Sequence, residues 1–387
     1  MSDKVKPDWD PRSEKFLRDQ RMTYDRMREC CPVAYSEFLG WSLFRHEDVT
    51  RVLQEHETFS NSVSKHRSVP NGMDPPEHTA YRRIIEPYFA AERMNTFEPV
   101  CREIVSTLVR DTLESDEIEL IADFAKPFAV RVQCAFLGWP ETLHKPLTLW
   151  TIKNHEATLA QDRQALSELA REFEGFIDDV LETRLQSGAK PEDDVTTALM
   201  HERVEGRPFK REEIASILRN WTVGEIGTIS AAVGILIHYL AGQAELQMQL
   251  RDEPSLLPAA IDEILRIHGP LVANRRITTR PVEIGGRAFK TGERISLNWI
   301  SANRDGQVFE APEVFRLDRD PSRNLLYGLG IHVCPGAPLA RLELKVVMEE
   351  LLRHTTTIEL APDKLPTNAA YPASGFSTLW LRIQQTL

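Results

Sequence analysis

Between about Arg211 and Gln243 the chain carries an apolar pattern far longer than an ordinary helix. At 1.5 Å per residue, a helix over this stretch spans roughly 45–50 Å, the width of a whole domain. Glu225 and His238 interrupt its most apolar part, Gly224–Leu240, so no run approaches the ~20 residues of a membrane span. An apolar helix with so few charges is buried on all sides. It therefore reads as the interior of a large fold.

The surrounding segments give that interior its class. Helical patterns dominate from His78 to His268, and earlier ones cover about Pro11–Cys30 and His46–His56. Short strands are expected at Val33–Tyr35, Trp41–Phe44, Val272–Thr278, Val282–Ile284 and Arg294–Ile300, with a turn at Gly285-Gly286. A coil of about twenty residues, Asp305–Asn324, is long enough to need a function or tight packing. The last thirty residues read as short strands around a turn at Tyr371–Gly375. No repeat or linker divides the 387 residues, so the expectation is one α+β domain, 1–387, mostly α-helical with a small β-rich region.

Composition narrows the partners. A net charge of −11 argues against nucleic acid. Residues Met1–Asp8 lack an apolar core, so neither a signal peptide nor a membrane anchor is expected. Cys30, Cys31, Cys101, Cys134 and Cys334 are odd in number and lack metal-type spacing. Free thiols in a reducing, cytoplasmic compartment follow.

Tyr327-Gly328-Leu329-Gly330-Ile331-His332-Val333-Cys334-Pro335-Gly336-Ala337-Pro338-Leu339-Ala340-Arg341 carries the chemistry. Its glycines let backbone approach a flat ligand. Cys334 precedes a helix that Pro335 is expected to open. The helix dipole and free amides push a thiol there toward thiolate. Aromatic, two residues, Gly, three residues, Cys, one residue, Gly resembles the haem-binding signature of the cytochrome P450 family, with Tyr327 in place of the usual Phe. The resemblance covers essentially the whole chain and implies that fold, with the long helix over the haem. It implies haem b (iron protoporphyrin IX) as cofactor and Cys334 as the axial ligand to its iron.

Other segments take roles from the same resemblance. In Asp74–Arg83, His78 and Arg82 stand at i and i+4 and are able to reach one anionic group. They resemble the family's propionate clamp, which Arg276 and His332 complete; Arg275 competes with Arg276. Glu263 and Arg266 form Glu-x-x-Arg, and Arg319 of the coil is its implied partner; all three are structural. Thr228 falls where the family places its oxygen-activating threonine, and Gly224 would allow close approach to the helix. The residue before this threonine is normally acidic, and here it is Gly227. Glu225, three residues before Thr228, is expected to replace it in proton delivery.

Substrate contacts are expected from Val63, His66, Val69 and Met73 in a short loop, Val223 and Ile226 in the long helix, Leu271 and Val272, and Phe376. These suit a small hydrophobic or aromatic molecule such as a methoxyarene or terpenoid. The chain has no dinucleotide fingerprint and no iron–sulfur cysteine cluster. Electrons would come from a ferredoxin-type or flavin/iron–sulfur reductase, docked near Arg83, Arg341 and Lys345. The resemblance implies a monomeric haem-thiolate monooxygenase that uses O2 to hydroxylate or O-dealkylate its substrate. The alternatives are a peroxide-driven peroxygenase, which an acid near the iron would favour, and a haem-based sensor or carrier.

Overall fold

The computed structural model describes residues 6–64, 67–112, 115, 117–371 and 373–385. Met1–Val5, His66 and Pro372, each part of an expectation above, lie outside them.

The long pattern folds as one helix, Arg211–Ala241. Glu213 opens it by accepting the Lys210 N–H at 2.9 Å, and Gly242 follows its last turn. Every residue from Ile229 to Ile237 is buried. Gly234 permits this packing, because a Cβ there would lie 2.7 Å from Ile121 Cδ1. By length and composition the helix would cross a membrane, yet most of its apolar stretch is buried in protein, as in a core helix. Helices Lys126–Leu137, Arg163–Ser187, Leu257–His268 and Ala337–His354 pack around it. Helix His144–Ala160 turns into Arg163–Ser187 through Gln161 and Asp162 alone. Asp162 caps the second helix by accepting the Gln164 and Ala165 N–H groups.

The β-rich region is a five-stranded sheet in the order Val33–Ser36, Gly40–Leu43, Arg294–Asn298, Ala273–Thr278, Phe59–Ser60. Ile295 pairs in parallel with Trp41 and antiparallel with Arg276. Alternation along Ala273–Thr278 buries Arg276 and Thr278 and leaves Arg275 half-buried. A second sheet joins Thr355–Leu360, Trp380–Gln385 and Glu117–Glu119.

Element boundaries depart from expectation where side chains compete with the periodic pattern. The N-terminal helix is two, Glu14–Arg18 and Gln20–Cys30, because Asp19 leaves helical geometry to cap the second. The strand expected to reach Ile300 stops at Asn298, whose side chain accepts the Ser301 N–H and starts a short helix, Trp299–Ala302.

The long coil is held by buried charge. Arg266 donates to Glu263 at 2.7 and 2.9 Å and to the carbonyls of Asn303 and Pro312. Arg319 donates to Glu263 at 2.8 Å and to the carbonyls of Glu310, Ala311 and Val314. The guanidinium of Arg266 also lies over the Phe309 ring at 4.9 Å. The coil thus satisfies its backbone with arginine side chains where no ladder is present.

Candidate active site

The cysteine loop closes on itself. Cys334 N–H donates to the Tyr327 carbonyl at 2.8 Å. Gly330 has φ +75°, and a Cβ there would sit 2.6 Å from the Leu53 carbonyl oxygen. Helix Ala337–His354 starts later than expected, with Gly336 as N-cap. Residues 334–337 form a turn instead, which leaves Pro335 outside and makes Pro338 the first-turn proline. Cys334 is accessible yet deeply set. Burial pushes its thiol up, against the pull of the Gly336 and Ala337 N–H groups and of Arg82. Burial thus outweighs the amides in the free thiol, which a coordinated metal would deprotonate. Arg341 covers the Tyr327 ring at 4.4 Å and bonds Asp262 at 2.9 Å.

Beside this loop, two arginines and two histidines converge. Helix Glu77–Ile85 buries His78 and Arg82. The His78 and His332 rings lie 4.1 Å apart. Both His78 nitrogens and His332 Nε2 are buried without a hydrogen-bond partner among the described residues. Burial, then Arg82, lowers the His78 pKa to about 4; burial, then His78 and Arg276, lowers that of His332 to about 3. Among the described residues Arg276 donates only to the Arg275 carbonyl, and burial brings it down to about 10. Arg82 bonds Glu86 and the Val333 carbonyl. Such a cluster is costly by itself and would be stabilised by buried anionic oxygens.

The long helix presents one accessible edge, Val223, Gly224 and Gly227, with Thr228 half-buried beside it. A Cβ on either glycine would meet nothing within 4 Å. The Thr228 hydroxyl donates to the Gly224 carbonyl. Glu225 does not share this edge. It is buried, with its carboxyl directed toward Glu343 of helix Ala337–His354. Glu343 was not singled out from sequence, because between Arg341 and Lys345 it reads as one more charged residue on a helix with a mainly apolar face.

Several expected pocket residues are core. Ile226 is 3% exposed and Val272 1%, the latter packed with Tyr24 and Phe44, so they back the site instead of lining it. Val69 and Met73 are also buried. Their loop is pinned to the long helix by Ser216, which accepts the Val69 N–H, and by Asn220, which donates to the Val69 carbonyl. Val63, Leu271 and Phe376 are half-buried, and Phe376 stacks on His238 at 4.3 Å. Of the three basic residues expected to dock a partner, Arg341 and Lys345 are ion-paired with Asp262 and Glu349, while Arg83 is exposed.

An accessible thiol at a loop whose glycines admit a flat group, orphaned histidines, under-partnered arginines and a two-glycine helix edge together fit a planar metal-bearing ligand with two carboxylates.

Comparison with known proteins agrees with this geometry. The cytochrome P450 family model matches residues 139–369. A putative cytochrome P450, YjiB, of Bacillus subtilis is 30% identical over 358 residues, covering 88% of this chain and 89% of that protein. The mycinamicin IV hydroxylase/epoxidase of Micromonospora griseorubida is 31% identical, covering 87% and 88%. The structure of CYP109E1 from Bacillus megaterium in complex with testosterone superposes with a TM-score of 0.87 at 26% identity, over 96% of this chain and 99% of that one. With a haem-iron cofactor implied and hydroxylases and epoxidases among its relatives, the chain belongs to the cytochrome P450 family of monooxygenases.

Proposed function

We propose that the chain is a single, monomeric haem b domain that hydroxylates or O-dealkylates a small hydrophobic or aromatic molecule. The observation that carries this reading is the convergence of Cys334 with Arg82, Arg276 and two histidines whose buried ring nitrogens lack hydrogen-bond partners among the described residues. Cys334 would supply the axial thiolate. His78, Arg82, Arg276 and His332 would bind the two propionates, and strand alternation favours Arg276 over Arg275. Haem, when bound, supplies the activation of O2. Gly224 and Gly227 keep the helix edge low for close approach. Thr228 Oγ, which now gives its proton to the Gly224 carbonyl, is the polar group on that edge able to pass a proton toward O2.

A small substrate is supported by the loop before Asp74. Its bonds to Ser216 and Asn220 draw Val69 and Met73 into the core and bring the loop onto the helix. Val223 and Phe376 remain as apolar contacts. Electrons would come from a separate ferredoxin-type or flavin/iron–sulfur reductase. Since Arg341 and Lys345 are neutralised by neighbours, exposed Arg83 is the strongest of the expected docking charges.

The test is the optical spectrum of the reduced, carbon-monoxide-treated protein, followed by titration of the ferric form with methoxyarenes, terpenoids and steroids. A strongly red-shifted Soret band and a spin shift with the first two classes are expected. A histidine-type band overturns Cys334 ligation; a spin shift with steroids alone overturns the small pocket.

A further inference from the structure

Glu225 and Glu343 form a buried acid pair between the long helix and the helix that follows Cys334. Glu343 is fully buried and Glu225 is 9% exposed. Both Glu343 oxygens and Glu225 Oε1 lack a donor among the described residues. Among the described residues, no lysine, arginine or histidine makes an ion pair with either carboxyl. The titratable groups that reach the pair are Cys101 of helix Ala91–Thr112, and Cys334 and Tyr327 of the cysteine loop. Arg82 acts on Cys334, and Arg341 on Tyr327, without bonding either carboxyl. None of these neighbours offsets two negative charges.

Two unpaired carboxylates in so dry a place cannot both ionise at neutral pH, because desolvation and mutual repulsion both oppose it. Burial raises both groups, and repulsion from Glu225 raises Glu343 further. A proton between the two carboxyls would give one oxygen a donor and leave one negative charge on the pair. That charge acts through space on the Cys334 sulfur and pushes its thiol up.

We propose that Glu225 and Glu343 share one proton and act as a charge regulator for the centre on Cys334, binding a second proton when an electron arrives there. The proposal rests on the haem-thiolate reading above. In the step, a one-electron donor of the ferredoxin class supplies the electron. Solvent supplies one proton, which forms an O–H bond on the ionised carboxylate. No other bond changes, and the added charges cancel. Glu225 and Glu343 would be positioning residues, acting on the iron through its ligand.

The test measures reduction potential against pH, between about pH 6 and 8, for the haem-loaded wild type, Glu225→Gln, Glu343→Gln and Glu343→Asp. Infrared spectra of the same proteins and of the double glutamine variant read the acid directly. Expected are a wild-type potential that falls as pH rises, loss of at least half that slope in either glutamine variant, and partial recovery in Glu343→Asp. A protonated-carboxyl C=O band is expected at neutral pH, shifted in each single glutamine variant and lost in the double one. A merely structural role would move the potential without changing its slope. Equal slopes in all four proteins, or no such band in the wild type, would overturn the proposal. The wild-type band requires no variant to fold. A reduced, carbon-monoxide-treated spectrum without the thiolate band would instead remove the haem-thiolate reading, and the regulator with it, while the infrared band would still decide whether the pair shares a proton.

Discussion

Replacing Glu263 with glutamine removes the anion that buried Arg266 and partly buried Arg319 share. Glu263 is 5% exposed and Arg266 1%. The carboxylate accepts three charge-assisted bonds, at 2.7, 2.9 and 2.8 Å. Each such bond contributes about 1.5–3 kcal/mol. Glutamine keeps one acceptor oxygen but turns an NH2 group toward a donor, so at least one of the three bonds is lost and replaced by a donor–donor clash. Arg266 then stays charged and buried with only carbonyl partners. Removing one member of a buried ion pair costs ~3–5 kcal/mol, and the retained oxygen puts the expected loss near the lower end, about 3 kcal/mol. Against a total of ~5–15 kcal/mol, that is a large share of the stability. Urea unfolding at constant slope measures it from the midpoint. A double-mutant cycle with Arg319→Ala should show coupling of about 0.5–3 kcal/mol, since the two side chains touch. A loss below ~1 kcal/mol, or additive effects, would refute the view that this cluster anchors the coil.

Other outcomes follow from separate features. Glu213 is fully buried, yet Arg207, the Lys210 N–H and Tyr81 together overcome the upward push of burial and bring its pKa from 4.5 to about 2. A depressed acid stabilises the fold above its unfolded pKa and loses that contribution as pH falls toward the folded value. Discounted for the half-exposed Arg207, the effect is ~2–3 kcal/mol. Glu213→Gln should therefore be less stable in urea at neutral pH and converge with the wild type near the folded pKa. Gly330→Ala places a Cβ 2.6 Å from the Leu53 carbonyl oxygen at φ +75°; a destabilisation of ~2 kcal/mol or more and weaker haem retention are expected in thermal unfolding and in the Soret absorbance. Thr228→Ala should keep the spectrum and raise peroxide released per electron consumed, read by a peroxide assay against donor oxidation.

What sequence made legible was local. Cys334 and its glycines, His78 with Arg82, and Glu263 with Arg266 lie within a few residues of each other, so spacing alone brings them together. The length of the central helix was equally plain, because an uninterrupted apolar pattern has few alternatives. Arg276 against Arg275 required knowing which face of a strand is covered, which depends on Trp41 and Ile295 pairing from distant segments. Ile226 and Val272 look like lining residues by position, yet neighbouring elements enclose them. Glu343 left no signal, since an acid between Arg341 and Lys345 in a helix with other glutamates reads as part of its solvent edge until Glu225 is seen against it. The start of helix Ala337–His354 was misplaced because two prolines, Pro335 and Pro338, both suit a first turn, and only the turn at Cys334 separates them.

The five-stranded sheet also sets an order of events during synthesis. Gly40–Leu43 leaves the ribosome early, but its parallel partner Arg294–Asn298 is made more than two hundred residues later. Until then the strand that carries Arg276 has the two-residue strand Phe59–Ser60 on one side but lacks the neighbour that joins it to Gly40–Leu43, and Cys334 and His332 do not yet exist. In the proposed clamp, His78 and Arg82 would therefore wait through most of translation without Arg276 and His332. The closure entropy of so long a loop must be overcome before the sheet forms. On the proposed function, cofactor capture would thus be a late event on a nearly complete chain, and a truncation that spares His78 and Arg82 but removes Cys334 is expected to leave a protein unable to hold haem.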